Sequence, residues 1–247
     1  GSPIGFKISP DSTRVVYTLT DTPTLTGSLY SVPTLPAGSP SDTLSGPLAT
    51  GTYIESYSIT PNGQGVVYTA RRHGLGISEL YGVPIAGGDP VRLSHSLDGG
   101  YVSWFQVLPN SQGVVYQASA GSVDRHQLYV RLFASVSPVR LNARLAPEGE
   151  VHTFAISPNS GAVVYSATQA PDGMLEAFVS DGVHVLRIGP LFPIPPALTL
   201  SPDSPLFEIT PDSQGVVYRA DPAGSGHRRL YLARGIEYRT YTPMVRR

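Results

Sequence analysis

Four glutamates, Glu55, Glu148, Glu150 and Glu208, are the side chains best suited to acid–base work on a glycosidic bond, which takes carboxylates projecting into a shared pocket. They do not recur at one position of a pattern. The sequence also lacks G-x-S-x-G, H-E-x-x-H, a glycine loop ending in Lys and a dinucleotide fingerprint, so no catalytic residue is assigned. Binding chemistry is better marked. Three basic clusters, Arg71-Arg72-His73, Asp124-Arg125-His126 and His227-Arg228-Arg229, could hold an anionic ligand, a C-terminal carboxylate or an acidic protein segment through charge-assisted bonds. The alternative is that they are solvated loop charges. Tyr53, Tyr101 and Trp104 could line the mouth of a shallow pocket for a peptide or sugar, or pack in the core, which is the expectation for Trp104. The six histidines include no pair at metal-ligand spacing, and neither a metal nor a cofactor is expected.

These residues are distributed over a repeat. SPDSTRVVY (9–17), TPNGQGVVY (60–68), LPNSQGVVY (108–116), SPNSGAVVY (157–165) and TPDSQGVVY (210–218) are five versions of one phrase. Each Pro precedes its Tyr by seven residues, and a second aromatic follows thirteen residues later, at Tyr30, Tyr81, Tyr129, Phe178 and Tyr231. Only the stretch from there to the next Pro varies, at 31, 28, 29 and 33 residues. A constant body with a variable connection marks a repeat architecture.

The phrase reads as a hairpin. An apolar pair ends the first strand, as in Phe6 and Ile8 or Phe154 and Ile156; Pro then presets φ for the turn, and Asp or Asn bonds its own backbone. Gly65, Gly113 and Gly215 are expected to supply a positive φ before the Val-Val-Tyr strand. The Leu-Tyr phrase gives a third strand, and PVRL (90–93, 138–141), HVLRI (184–188) and EYRTY (237–241) a fourth. Asp11, Asn62, Asn110, Asn159 and Asp212 are explained by this turn role and need no calcium.

Val-Val-Tyr is apolar on both faces, as a sheet covered on both sides requires. The end repeats are as apolar as the middle ones, so the prediction is all-β: a closed five-bladed β-propeller with four antiparallel strands per blade. It forms a single domain over 1–247, with blades near 4–50, 51–98, 99–147, 148–200 and 201–243. Lys7 and Glu208 share a repeat column in the two blades that must meet and are the expected ring-closure pair.

The phrase resembles the TolB-type propeller repeat, a relative of WD-type repeats. The resemblance covers essentially the whole chain and is closest in TPNGQGVVYTA and ELYGVPIAGGDPVRL. TolB's own propeller has six blades behind an amino-terminal domain, so the count differs. Some five-bladed propellers are glycosidases, which the resemblance brings in as an alternative; their Asp, Asp, Glu arrangement is not visible here.

Net charge is -1, without the basic field that gathers nucleic acid, and there is no cysteine for disulfides or thiol chemistry. No apolar run is long enough for a membrane helix, so neither nucleic acid nor membrane insertion is expected. The Thr/Ser/Pro stretches at 20–28 and 34–52 suit exposed loops or O-glycosylation, and 189–205 is an unusually apolar connection. The first functional expectation is a non-catalytic scaffold for a protein or glycan partner, outside the cytoplasm. The alternatives are a self-associating subunit of an extracellular filament or surface layer, a glycoside hydrolase-like propeller, and the propeller of a prolyl-oligopeptidase-like enzyme.

Overall fold

The computed structural model describes residues 3–21, 24, 26–119, 125–169, 173–193, 206–221, 229–234 and 241–243. Among these there is no helix, and hence none long and apolar enough to cross a membrane. The strands form five four-stranded sheets, each in sequence order from one edge to the other. They are β1 (Pro3–Ile8), β2 (Arg14–Asp21), β3 (Thr26–Pro33) and β4 (Asp42–Thr43); β5 (Thr52–Ile59), β6 (Gly65–Arg72), β7 (Ser78–Pro84) and β8 (Val91–Arg92); and β9 (Val102–Val107), β10 (Gly113–Ala118), β11 (Gln127–Leu132) and β12 (Val139–Arg140). The fourth sheet has β13 (Val151–Ile156), β14 (Val163–Ala167), β15 (Met174–Ser180) and β16 (Val185–Pro193), and the fifth β17 (Phe207–Ile209), β18 (Gly215–Ala220), β19 (Arg229–Arg234) and β20 (Tyr241–Pro243).

The two aromatics thirteen residues apart are direct cross-strand partners. Tyr17 stacks on Tyr30, Tyr68 on Tyr81, Tyr165 on Phe178 and Tyr218 on Tyr231, with ring centroids 5.3–5.6 Å apart. Such pairs fix register, since a one-residue slip would send every side chain to the other face.

Contacts divide the chain into two compact units, Gly1–Asp124 with Arg131–Pro138, and Arg125–Val130 with Val139–Arg247. The first has a core around Val16, Leu29, Leu44, Val66 and Tyr68, and the second one around Val164, Leu175, Leu191, Val216 and Tyr218. Val-Val-Tyr is buried throughout in β6, β10 and β14, as a strand covered on both faces must be. By contrast, β1 leaves Phe6 and Ile8 69% and 55% exposed, whereas Phe105, Phe154 and Phe207 are buried.

The turns correct one expectation. Their left-handed residue is the third of the corner, at Ser12, Gly63, Ser111, Ser160 and Ser213, with φ between 59° and 72°. Gly65, Gly113 and Gly215 are not in that region. Gly113 is there for close approach: a Cβ would lie 2.6 Å from the Arg131 carbonyl oxygen. The Asp and Asn side chains accept from the backbone two residues on, as with Gln64 N to Asn62 at 3.1 Å and Gly161 N to Asn159 at 2.9 Å. At Asp11 and Asp212 these hydrogen bonds, led by those from Ser9 and Thr210, lower the carboxyl pKa.

The fourth strands are also adjusted. β16 runs on to Pro193, so the apolar connection begins as strand, held where the Asp221 amide donates to the Leu191 carbonyl at 2.7 Å. The remainder of that connection, 194–205, lies outside the described residues, as do 237–240 of the strand expected at 237–241.

Candidate functional site

The opening strands share an irregularity that the repeat does not advertise. Pairing of β1, β5, β9 and β13 with the following strand skips one residue at the same repeat position, which is Ile4, Glu55, Ser103 and His152 in turn. A bulge adds a residue on one strand and re-aims its side chain, which is why bulges accumulate beside active sites. Two of the four positions hold titratable groups, one in each unit.

In the second unit, Glu148-Gly149-Glu150 leads into β13. The chain is pinned on both sides, with Val151 N donating to the His126 carbonyl at 2.9 Å and Thr168 N to the Glu150 carbonyl at 3.0 Å. Gly149 is obligatory here because a Cβ would sit 2.0 Å from the Thr168 carbonyl oxygen. Glu150 is thereby held between two imidazoles: its Oε2 is 3.5 Å from His126 Nδ1 and its Oε1 3.6 Å from His152 Nδ1. On its other edge His152 Nε2 lies 3.4 Å from Thr168 Oγ1. Burial lowers the His152 pKa and His126 adds to the effect, while Glu150 opposes it; His152 is therefore a neutral base at physiological pH. Arg125 pairs with the exposed Glu148 at 2.7 Å beside this group.

In the first unit the bulge places Glu55 between two donors. Arg71 Nη1 reaches its Oε1 at 2.6 Å and Ser78 Oγ its Oε2 at 3.1 Å. The bond to Glu55 and then its charge raise the Arg71 pKa, with smaller electrostatic contributions from Tyr53 and Tyr101. Ser78 and Tyr101 also form a parallel bridge. Next to Glu55, Lys7 donates to the Tyr57 carbonyl at 2.6 Å, and its ammonium lies 4.8 Å from the centroid of the Tyr57 ring.

Of the residues singled out in the sequence, Arg71 thus pairs with Glu55 while Tyr53 and Tyr101 act on Arg71, and Arg125 and His126 gather on Glu148 and Glu150. Arg71 and Arg72 end β6 rather than occupying a loop. Arg72 and His73 are exposed, as are Arg229 at the start of β19 and Glu208 in β17. Asp124, His227 and Arg228 lie outside the described residues. Trp104 is not in the core but 57% exposed, because strand alternation turns the neighbouring Phe105 inward instead. His152 and Thr168 were missed by sequence reasoning. The available signal was the Glu-x-His spacing where β13 begins, which keeps the two side chains within reach of each other.

No protein-family model matches the chain, and no curated protein sequence does. Solved structures do. A structure of oligogalacturonate lyase in complex with manganese matches 95% of this chain and 66% of its own, at TM-score 0.58 and 14% identity. A eukaryotic initiation factor matches 98% of this chain and 55% of its own, at TM-score 0.63 and 13% identity. Prolyl oligopeptidase B from Galerina marginata, bound to a hydrolysis and macrocyclization substrate, matches 94% of this chain and 36% of its own, at TM-score 0.57 and 12% identity. The chain therefore spans at most about two thirds of these proteins, and the likeness establishes a β-propeller-like, all-β fold. The expectation of a non-catalytic scaffold is overturned, since a lyase and a peptidase carry this fold across nearly all of the chain's length. The manganese stays with the lyase: among the described residues no group of three or more His, Asp or Glu side chains could hold a metal ion.

Proposed function

We propose that this chain is a carbohydrate-active enzyme that cleaves an acidic oligosaccharide by general acid–base catalysis in its second unit. The observation that carries the reading is His152, a neutral imidazole presented by a strand bulge and backed by the Glu150 carboxylate. A half-buried carboxylate behind an imidazole orients the ring and stabilises the imidazolium once a proton arrives.

The chemistry that this pair suits best is β-elimination at a uronate. By exchanging the exposed Glu148 for the sugar carboxylate, the Arg125 guanidinium neutralises it and so acidifies the proton on the adjacent carbon. His152 removes that proton, the C–H electron pair becomes a carbon–carbon double bond, and the bond to the leaving glycosidic oxygen breaks. The proton held on His152 then passes to the departing oxygen, leaving the enzyme unchanged. Oligogalacturonate as a substrate class is taken from the lyase that shares the fold, and the chemistry needs no second carboxylate at glycosidase spacing.

The architecture belongs to the same proposal: the five sheets close into a single five-bladed propeller of TolB-like repeats, working outside the cytoplasm. Support comes from Phe6 and Ile8, large apolar side chains exposed on β1 that a neighbouring sheet would cover. The test is incubation of the chain with oligogalacturonate, followed by the ultraviolet absorbance of the conjugated unsaturated product. Reducing ends appearing without that absorbance would indicate hydrolysis, and no cleavage of any uronate polymer would remove the reading.

A further inference from the structure

We infer that the cleft between the first and second sheets of the first unit is a separate binding site for a carboxylate-bearing sugar, with Lys7 as its cation. The cleft has a volume of about 290 Å³, and its lining includes Lys7, Thr18, Thr20, Glu55, Ser56 and Tyr57. That size is at the lower end for small-molecule sites and suits one compact unit rather than a long chain.

The charge pattern selects the ligand. Glu55 has one oxygen on the Arg71 guanidinium and the other on the Ser78 hydroxyl, so its charge is answered from behind the cleft wall. Among the described residues Lys7 has no such answer: its contacts there are a carbonyl oxygen and a tyrosine ring, and an ammonium carries three donors. The cleft thus presents one net positive charge, and two donors of that ammonium remain for a carboxylate. Around it stand three hydroxyls on two strands, from Thr18 and Thr20 of β2 and Ser56 of β5. Ser56 and Thr69 hydroxyls share a 3.1 Å bond, which fixes the Ser56 rotamer. Tyr57 is anchored in turn by its phenol, which donates to the Val16 carbonyl at 3.2 Å, so the floor under Lys7 is rigid. A cation flanked by fixed hydroxyls and an aromatic face fits a polyhydroxylated acid better than a phosphate or an apolar acid.

This site does not depend on the acid–base group of the second unit, and its test is independent. Lys7 is the only lysine of the chain, so amine acylation followed by peptide mass spectrometry reports on it alone once the N-terminal amine is set apart. The probe is galacturonate, with glucose and acetate as controls. Galacturonate is expected to slow acylation of Lys7 several-fold, while glucose and acetate do so little. In calorimetry Lys7→Met should weaken galacturonate binding roughly ten- to hundred-fold, as loss of a charge-assisted contact does, and Thr20→Val should weaken it less. His152→Ala should leave Lys7 protection intact whether or not it removes cleavage, which separates this inference from the catalytic one. Protection equal with acetate, no protection at saturating galacturonate, or a Lys7 that responds only to Glu208→Gln would each overturn it.

Discussion

His152 owes its properties to two neighbours and a bulge, and the predictions for it are correspondingly sharp. Replacing it by Ala should lower kcat/KM on oligogalacturonate by about 10²- to 10⁴-fold, the usual range for a positioned general base. Glu150→Gln keeps the shape but cannot stabilise the imidazolium, so it should reduce kcat while leaving KM near its original value. The pH behaviour has a definite sign. His95 and His152 both have folded pKa values below the ordinary 6.5, in each case first because of burial. Stability is then at its full value above pH about 6.5 and is lost as the pH falls through the folded pKa values, because the unfolded chain binds the protons more readily. Urea denaturation at neutral and mildly acidic pH should show that decline, and changing both histidines to Gln should flatten it. Trp104, the only tryptophan, gives a further check: its emission should be that of a solvated indole and quench readily with iodide, whereas a core tryptophan would resist.

The strands and turns show what the sequence made legible and what it did not. The turn phrase, the Val-Val-Tyr strand and the aromatic spacing could be read directly, because turn chemistry and a side-chain period of two leave marks in the residue types themselves. A bulge leaves none. It is one extra residue in pairing, and at Glu55, Ser103 and His152 no Gly or Pro announces it, so the bulged position of His152 emerged only from register. The turn glycines were misread for a related reason: the left-handed corner is filled by Ser in four repeats and by Gly only at Gly63. Gly63→Ala should therefore cost about 1–2 kcal/mol through backbone strain. Gly65→Ala should cost less, since its nearest contacts, at 3.5 Å, are ordinary. Gly149→Ala should be far worse for activity than for secondary structure. Its Cβ cannot coexist with the Thr168 carbonyl at 2.0 Å, and the displaced segment is the one that carries Glu148 and Glu150.

Across the described chain, four of the five sheets carry unlike residues at one bulge position, so a uniform scaffold hosts local chemistry without changing its repeat. Function was hard to read for that reason: the repeated residues specify the sheets, while the residues that do chemistry are the ones that do not repeat. Closure of the ring can be tested through the exposed first strand. If a neighbouring sheet covers β1, Phe6→Ala should destabilise the chain by about 3–5 kcal/mol; if β1 stays open, the change should lie within about 0.5 kcal/mol. Thermal or chemical unfolding of Phe6→Ala against the parent would decide it. The catalytic reading rests on a single event, proton removal by His152, and the absorbance of unsaturated product from oligogalacturonate reports that event directly. A steady rise with the unaltered chain, nearly abolished in His152→Ala with its fold intact, is the expected result; no rise, or an equal rise in both, would contradict it.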